Sequence, residues 1–169
     1  LGLQVPLATT QVVGRDRYVE YVSWLANVAC TCEKVLQEIR NLQRSEIAEA
    51  GEGFDVKKQV GSSTMAHKKN PIKSENASGL ARIVRSFIIP TYENALLWHE
   101  RDLANSSSER FTLSHGSALC EDVIAKTANV PVVMLSFDFE NKVNCFSEPF
   151  YPTSDIEADF KFMRAFFEG

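Results

Sequence analysis

TQVVGRDRYVEYVSWLANVACTCEKVLQEIRNLQRSEIAE, residues 10–49, is the stretch that decides the fold class. Apolar side chains recur at Val12, Val19, Val22, Leu25, Val28, Cys32, Val35, Leu36, Ile39 and Leu42, with no proline or glycine after Gly14. That spacing places them on one face of a 3.6-residue helix, so a long amphipathic helix is expected over most of the stretch. A helix approaching this length exceeds the width of a compact chain of this size. Such helices bundle, often between subunits. The expected fold class is therefore all-α, a bundle of long helices.

Downstream, Gly51-Glu52-Gly53 is expected to end the first helix, and the polar residues 55–69 carry no apolar period and read as a loop. Asn70 as N-cap and Pro71 at the first helical position predict a second helix running to about His99, kinked by Pro90. Ser106-Ser107-Ser108-Glu109 has the form of a capping box, predicting a third helix to about Lys126 that Gly116 weakens only slightly. After Asn129 the character changes, since eight of the eleven phenylalanines lie beyond it. Residues 132–139 could form a strand, and Ile156, Phe160, Met163 and Phe167 could line a short helix. The expected organisation is a helical segment over 1–128, with its loop at about 55–70, and a Phe-rich tail over 129–169 to which no chemistry attaches.

Composition bounds the function. The chain has 169 residues, 44% hydrophobic and 24% charged, as an ordinary globular domain does. A formal net charge of -4 argues against a non-specific nucleic-acid binder, so any anion site must be local. No apolar run approaches the roughly 20 residues needed to span a bilayer, and Leu1-Gly2-Leu3 lacks a basic signal-peptide start. A soluble cytoplasmic protein is expected. Cys30, Cys32, Cys120 and Cys145 have neither zinc-site spacing nor the density of a disulfide scaffold. The first residue is leucine and helical patterning begins almost at once, as expected for part of a longer protein.

Residues 61–71 read Gly-Ser-Ser-Thr-Met-Ala-His-Lys-Lys-Asn-Pro and concentrate two serine hydroxyls beside a threonine, a flexible glycine, cations and a carboxamide in one loop-sized run. Taken alone, Gly-Ser-Ser is an ordinary flexible linker, Lys68 a solvated lysine and Asn70 a plain N-cap. Taken together, the run resembles the signature loop of the fumarase/aspartase superfamily, Gly-Ser-Ser-x-Met-Pro-x-Lys-x-Asn-Pro, departing from it at Ala66. The resemblance implies the helical-bundle fold of that superfamily and a β-elimination that releases fumarate. Ser62 matches the family's base. Lys68 and Asn70 match residues that hold the substrate carboxylate, at a helix N-terminus where an anion is favoured. Ser63 and Met65 match substrate-binding loop positions. Glu75, favourable in a first helical turn on electrostatic grounds alone, matches the glutamate that orients a catalytic histidine. The family's acid histidines lie in earlier segments, and His67, His99 and His115 match none of them.

Within the superfamily, Ser-Glu-Asn-Ala-Ser-Gly-Leu-Ala-Arg (residues 74–82) and Leu-Trp-His-Glu-Arg-Asp-Leu-Ala-Asn-Ser-Ser-Ser-Glu-Arg (residues 97–110) resemble the bacterial and archaeal adenylosuccinate lyase family. Thr9-Thr10-Gln11-Val12 and Glu38-Ile39-Arg40-Asn41-Leu42-Gln43-Arg44 fit it too. This resemblance implies that Gln11 and Asn76 contact the substrate, and that Arg101, Ser106 and Arg110 bind its succinyl and phosphate groups. On spacing alone, Arg101 and Arg110 read equally well as surface partners of Glu100, Asp102 and Glu109. The implied reaction is cleavage of adenylosuccinate to AMP and fumarate, and of the succinylated aminoimidazole-carboxamide ribotide, in purine biosynthesis. No metal or organic cofactor is implied. A homotetramer with sites shared between subunits is implied. The chain alone is expected to be inactive, because the segments that carry the family's acid histidines are not in it. The alternatives are a non-catalytic helical assembly module and, less closely matched, argininosuccinate lyase.

Overall fold

A computed structural model describes residues 5, 7–53, 69–138 and 143–146. It is mainly helical: α1 (Asp16–Leu42), α2 (Ile72–Ser86), α3 (Ile88–Glu93), α4 (Leu103–Thr112) and α5 (Ser114–Ala128), with strands β1 (Ala50–Glu52), β2 (Val132–Asp138) and β3 (Val143–Phe146). No helix among the described residues is long and apolar enough to cross a membrane. The chain divides into two compact units, one of residues 1–31 and 80–123, the other of residues 32–79 and 124–169. The expected helix over 156–167 lies outside the described residues.

In the first unit, α1 starts where the Arg15 carbonyl accepts the Val19 N–H at 3.0 Å, with Asp16 in the first turn favouring the positive end of the helix dipole. Val22, Leu25, Ala26 and Ala29 are buried at the spacing of one helix face, as are Ala81 and Val84 of α2 and Cys120 and Val123 of α5. The buried Cys120 thiol points at the Leu25 carbonyl, 3.6 Å away. Gly116 is buried, and a Cβ there would meet Phe87 and Leu25 at ordinary contact distance. The glycine is thus tolerated inside α5 without being required by close packing.

The second unit has its own core of Leu36, Ile39, Ala77 and Val130, with Val35 and Val132 packed against it. Its sheet has the order β1-β2-β3, all antiparallel. Ala50, Gly51 and Glu52 face Met134, Val133 and Val132. The strand expected at 132–139 is therefore present.

Several boundaries differ from those expected. The first helix ends at Leu42, because the Glu49 N–H turns back to the Leu42 carbonyl and Ala48 takes a left-handed conformation (φ 50°). Gly51-Glu52-Gly53 therefore lies at a strand rather than at the end of the helix, since pairing with β2 satisfies its backbone. The second helix is broken at Phe87, three residues before Pro90, whose missing N–H leaves the Ser86 carbonyl without its helical donor. His99 sits in a turn with φ 56°, beyond the helix expected to reach it. The third helix starts at Leu103, capped by Asp102, whose carboxylate accepts the Ala104 N–H at 2.9 Å. Ser106 is consequently inside α4, and no capping box forms there.

Candidate functional site

The local architecture around Asn70-Pro71 begins with a buried carboxylate. β1 delivers Glu52, 7% exposed, to the first turn of α2. Its Oε1 accepts the Lys73 N–H at 2.9 Å, and its Oε2 accepts both the Ser74 N–H and the Ser74 hydroxyl at 2.9 Å. The remaining first-turn N–H of Ile72 bonds the Asn70 carbonyl, and the Pro71 carbonyl accepts the Glu75 N–H, closing the first helical turn. Pro71 is therefore the cap position and Asn70 precedes it, one residue later than the sequence suggests. The consequence is electrostatic: the positive end of α2 already holds a resident anion. An anionic ligand beside Asn70 has to be held by side chains, because the orphan N–H groups of α2 are occupied.

Next to this cap lies a cavity of about 370 Å³ lined by Gln37, Arg40, Asn41, Gln43, Arg44, Lys69, Pro71 and Glu75. Three cations face one carboxylate there, a local positive excess in a chain of net charge -4. Arg40 is oriented by Gln37, whose side-chain oxygen accepts from Nη1 at 3.0 Å. Asn70 is half-buried, while Glu75 and Asn76 are exposed on α2. Ser62, Ser63, Met65 and Lys68 lie outside the described residues.

The other candidates belong to the first unit. Gln11 is exposed in the segment before α1, where the Thr10 hydroxyl donates to the Val12 carbonyl at 3.0 Å. Arg101 and Arg110 are exposed, one just before α4 and one near its end, and Ser106 is half-buried between them in sequence. Glu109 does not complete a capping box with Ser106, since Asp102 caps α4. Instead Arg15 Nε and Nη2 donate to its two oxygens at 2.5 and 3.0 Å, a bidentate pair with side chains only 8% and 13% exposed. Arg15 also donates to the Val13 carbonyl at 3.2 Å and stacks over Tyr18. The hydrogen bond to Glu109 holds the guanidinium pKa above its ordinary value. The effect is to tie the chain beside Gln11 to the helix carrying Ser106 and Arg110. A second tie joins α3 to α4, where the buried Asn105 side chain donates to the Asn94 carbonyl at 2.9 Å.

The structure thus gathers Asn70 and Glu75 in one unit and Gln11, Arg101, Ser106 and Arg110 in the other. Sequence reasoning missed Gln43, Glu52 and Arg15, which fix the backbone near these candidates, and Arg40 and Arg44, which line the cavity beside Glu75. A signal for Glu52 was present: a carboxylate between two glycines is poorly explained by a solvated helix end.

The sequence model of the family described as Lyase matches residues 1–86, about half of the chain. The chain belongs to the lyase family. Among its curated relatives, this lyase chain is 52% identical over 130 residues to the adenylosuccinate lyase of Methanothermobacter thermautotrophicus, covering 77% of the chain and 29% of that enzyme. It is 48% identical over 141 residues to the adenylosuccinate lyase of Archaeoglobus fulgidus, covering 83% and 31%. The chain therefore spans about a third of the length of these relatives. Among solved structures, the 3-carboxy-cis,cis-muconate lactonizing enzyme of Pseudomonas putida superposes with a TM-score of 0.61 at 27% identity, over 74% of this chain and 26% of that one.

Proposed function

We propose that this lyase chain is the loop-bearing region of an adenylosuccinate lyase, which cleaves adenylosuccinate to AMP and fumarate in purine biosynthesis. The observation that carries the reading is the coincidence of the Gly-Ser-Ser-x-Met run with 52% identity to an enzyme of that name. The hard step is removal of a proton from the carbon next to a carboxylate, because the resulting carbanion spreads onto an already charged group. Ser62, activated as an alkoxide, takes that proton. The electron pair left on carbon forms the double bond of fumarate as the C–N bond breaks, and its electrons leave on the AMP nitrogen. An acid outside this stretch protonates that nitrogen, and Glu75 orients it.

Lys68 and Asn70 hold the carboxylate that gains charge, one by its ammonium and one by its amide. With the end of α2 already occupied by Glu52, these two carry the stabilisation that the helix dipole would otherwise share. Ser63 and Met65 complete the loop's substrate contacts. Gln11, Asn76, Arg101, Ser106 and Arg110 bind the succinyl and nucleotide groups, two guanidiniums supplying the charge an acidic chain otherwise lacks. Copies of the chain share sites in a homotetramer in the cytoplasm. In support of assembly, the first unit exposes Trp24, Ile89, Leu96, Trp98 and Phe111, large apolar groups that a monomer would leave in water.

The test is a graft of the matched stretch into its place in the Methanothermobacter enzyme, offered adenylosuccinate, the succinylated aminoimidazole-carboxamide ribotide and argininosuccinate, with fumarate absorbance as the readout. Turnover of the first two and not the third is expected. Preference for argininosuccinate would overturn the substrate assignment.

A further inference from the structure

Gln43, the first residue after α1, is assigned no role by the resemblance, yet it uses both ends of its carboxamide on the backbone. Its Oε1 accepts the Glu52 N–H at 2.9 Å, and its Nε2 donates to the Lys69 carbonyl at 3.0 Å. Glu52 and Lys69 flank the stretch of sequence that contains residues 61–68. One side chain therefore ties β1, which precedes the signature run, to Lys69 inside it, and Lys69 leads directly into Asn70.

Two further observations make this a built arrangement. Gly51 lies under the carboxamide: a Cβ there would approach Gln43 Cγ to 3.0 Å, Cδ to 3.2 Å and Oε1 to 3.3 Å, so only glycine leaves the amide its present seat without adjustment. Glu52 is in turn fixed through its side chain to Lys73 and Ser74. The bonds form a circuit from Gln43 to Glu52, into the first turn of α2, back through Asn70 to Lys69, and so to Gln43.

We infer that Gln43 is a positioning residue for the β-elimination proposed above, on which this inference rests: it ties Lys69, at the entry to α2, to β1, and so fixes the backbone that carries Asn70. Only a side chain of this length carrying both a donor and an acceptor closes the circuit. Glutamate keeps the acceptor for Glu52 but loses the donor to Lys69, and alanine loses both. Misplacement of reacting groups by about 1 Å costs on the order of 100-fold in rate, so release of the Asn70 backbone by about half to all of that distance is felt as roughly a 10- to 100-fold loss, mainly in kcat because Asn70 holds the carboxylate that gains charge.

The experiment uses the same graft and adenylosuccinate, with Gln43→Glu and Gln43→Ala beside Ser62→Ala. Expected is a fall in kcat of about 10- to 100-fold for both Gln43 variants with KM within about threefold of the parent, and a kcat of Gln43→Glu that rises relative to the parent's, measured at the same pH, as the pH is lowered. Parental kcat in either variant, or a rise in KM with kcat unchanged, overturns the positioning role. Failure of both to fold makes Gln43 purely structural and also overturns it. Undiminished turnover by Ser62→Ala would instead defeat the underlying assignment of the loop, a separate and distinguishable result.

Discussion

Thr112 closes α4 with its hydroxyl 1% exposed and without a hydrogen-bond partner among the described residues. A buried hydroxyl left unpaired forfeits its hydration for nothing, and valine has nearly the same shape without the polar atom. Thr112→Val should therefore stabilise the chain by about 1 kcal/mol, raising the thermal midpoint by roughly 3 °C. An unchanged or lower midpoint would mean that the hydroxyl does useful bonding. Arg15 is the opposite case at the same scale. Nearly buried, it is satisfied by both Glu109 oxygens and by the Val13 carbonyl. Because its pKa is raised, its side of the pair stays charged, and any stability it contributes is present below arginine's ordinary pKa and lost only above the raised one. Neither residue could be read from sequence, since nothing local to residues 109–112 announces a partner or a missing one far away in the chain.

Among the elements, α2 shows what local rules convey and where they stop. Asn70-Pro71 correctly marks a helix start, and Ser74, Ala77, Ser78, Ala81 and Val84 supply its buried face. The cap itself comes from β1, through Glu52, and no local pattern contains that information. The same holds for α4, where Asp102 and Ser106 are both acceptable caps by chemistry and the backbone at Asp102 (φ -123°, ψ 123°) decides for the first. Both helix ends thus carry carboxylates of their own, and at α2 that carboxylate takes the place where the sequence suggested an added anion would be favoured. Glu52→Gln should cost about 1–2 kcal/mol in urea unfolding, because a charged acceptor of three hydrogen bonds becomes a neutral one with donors facing donors. A variant as stable as the parent would show that the charge is unimportant to α2. Breaks at Phe87 and Leu113 were harder to foresee than the helices themselves. Pro90 explains the first, and back-bonding of the Ser117 hydroxyl to the Leu113 carbonyl accompanies the second.

At the scale of the molecule, the periodicity of residues 10–49 was enough for a helical fold, because the face it defines is the face that is buried. The small sheet was only half legible: β2 announced itself, whereas β1 is three residues whose pairing is a tertiary event. The candidate site residues that are described fall in both units, with Asn70 and Glu75 in one and the arginines and Ser106 in the other. Among the described residues, large exposed apolar groups fall mostly in the first unit, Trp24, Tyr92 and Leu103 among them. If the signature run supplies the base, fumarate release from adenylosuccinate by the grafted enzyme depends on Ser62, and comparison with Ser62→Ala measures this dependence. The graft should turn over, and the substitution should lower kcat by about 10²- to 10⁴-fold with substrate binding retained by calorimetry. Turnover close to that of the parent in the Ser62→Ala enzyme would contradict this dependence.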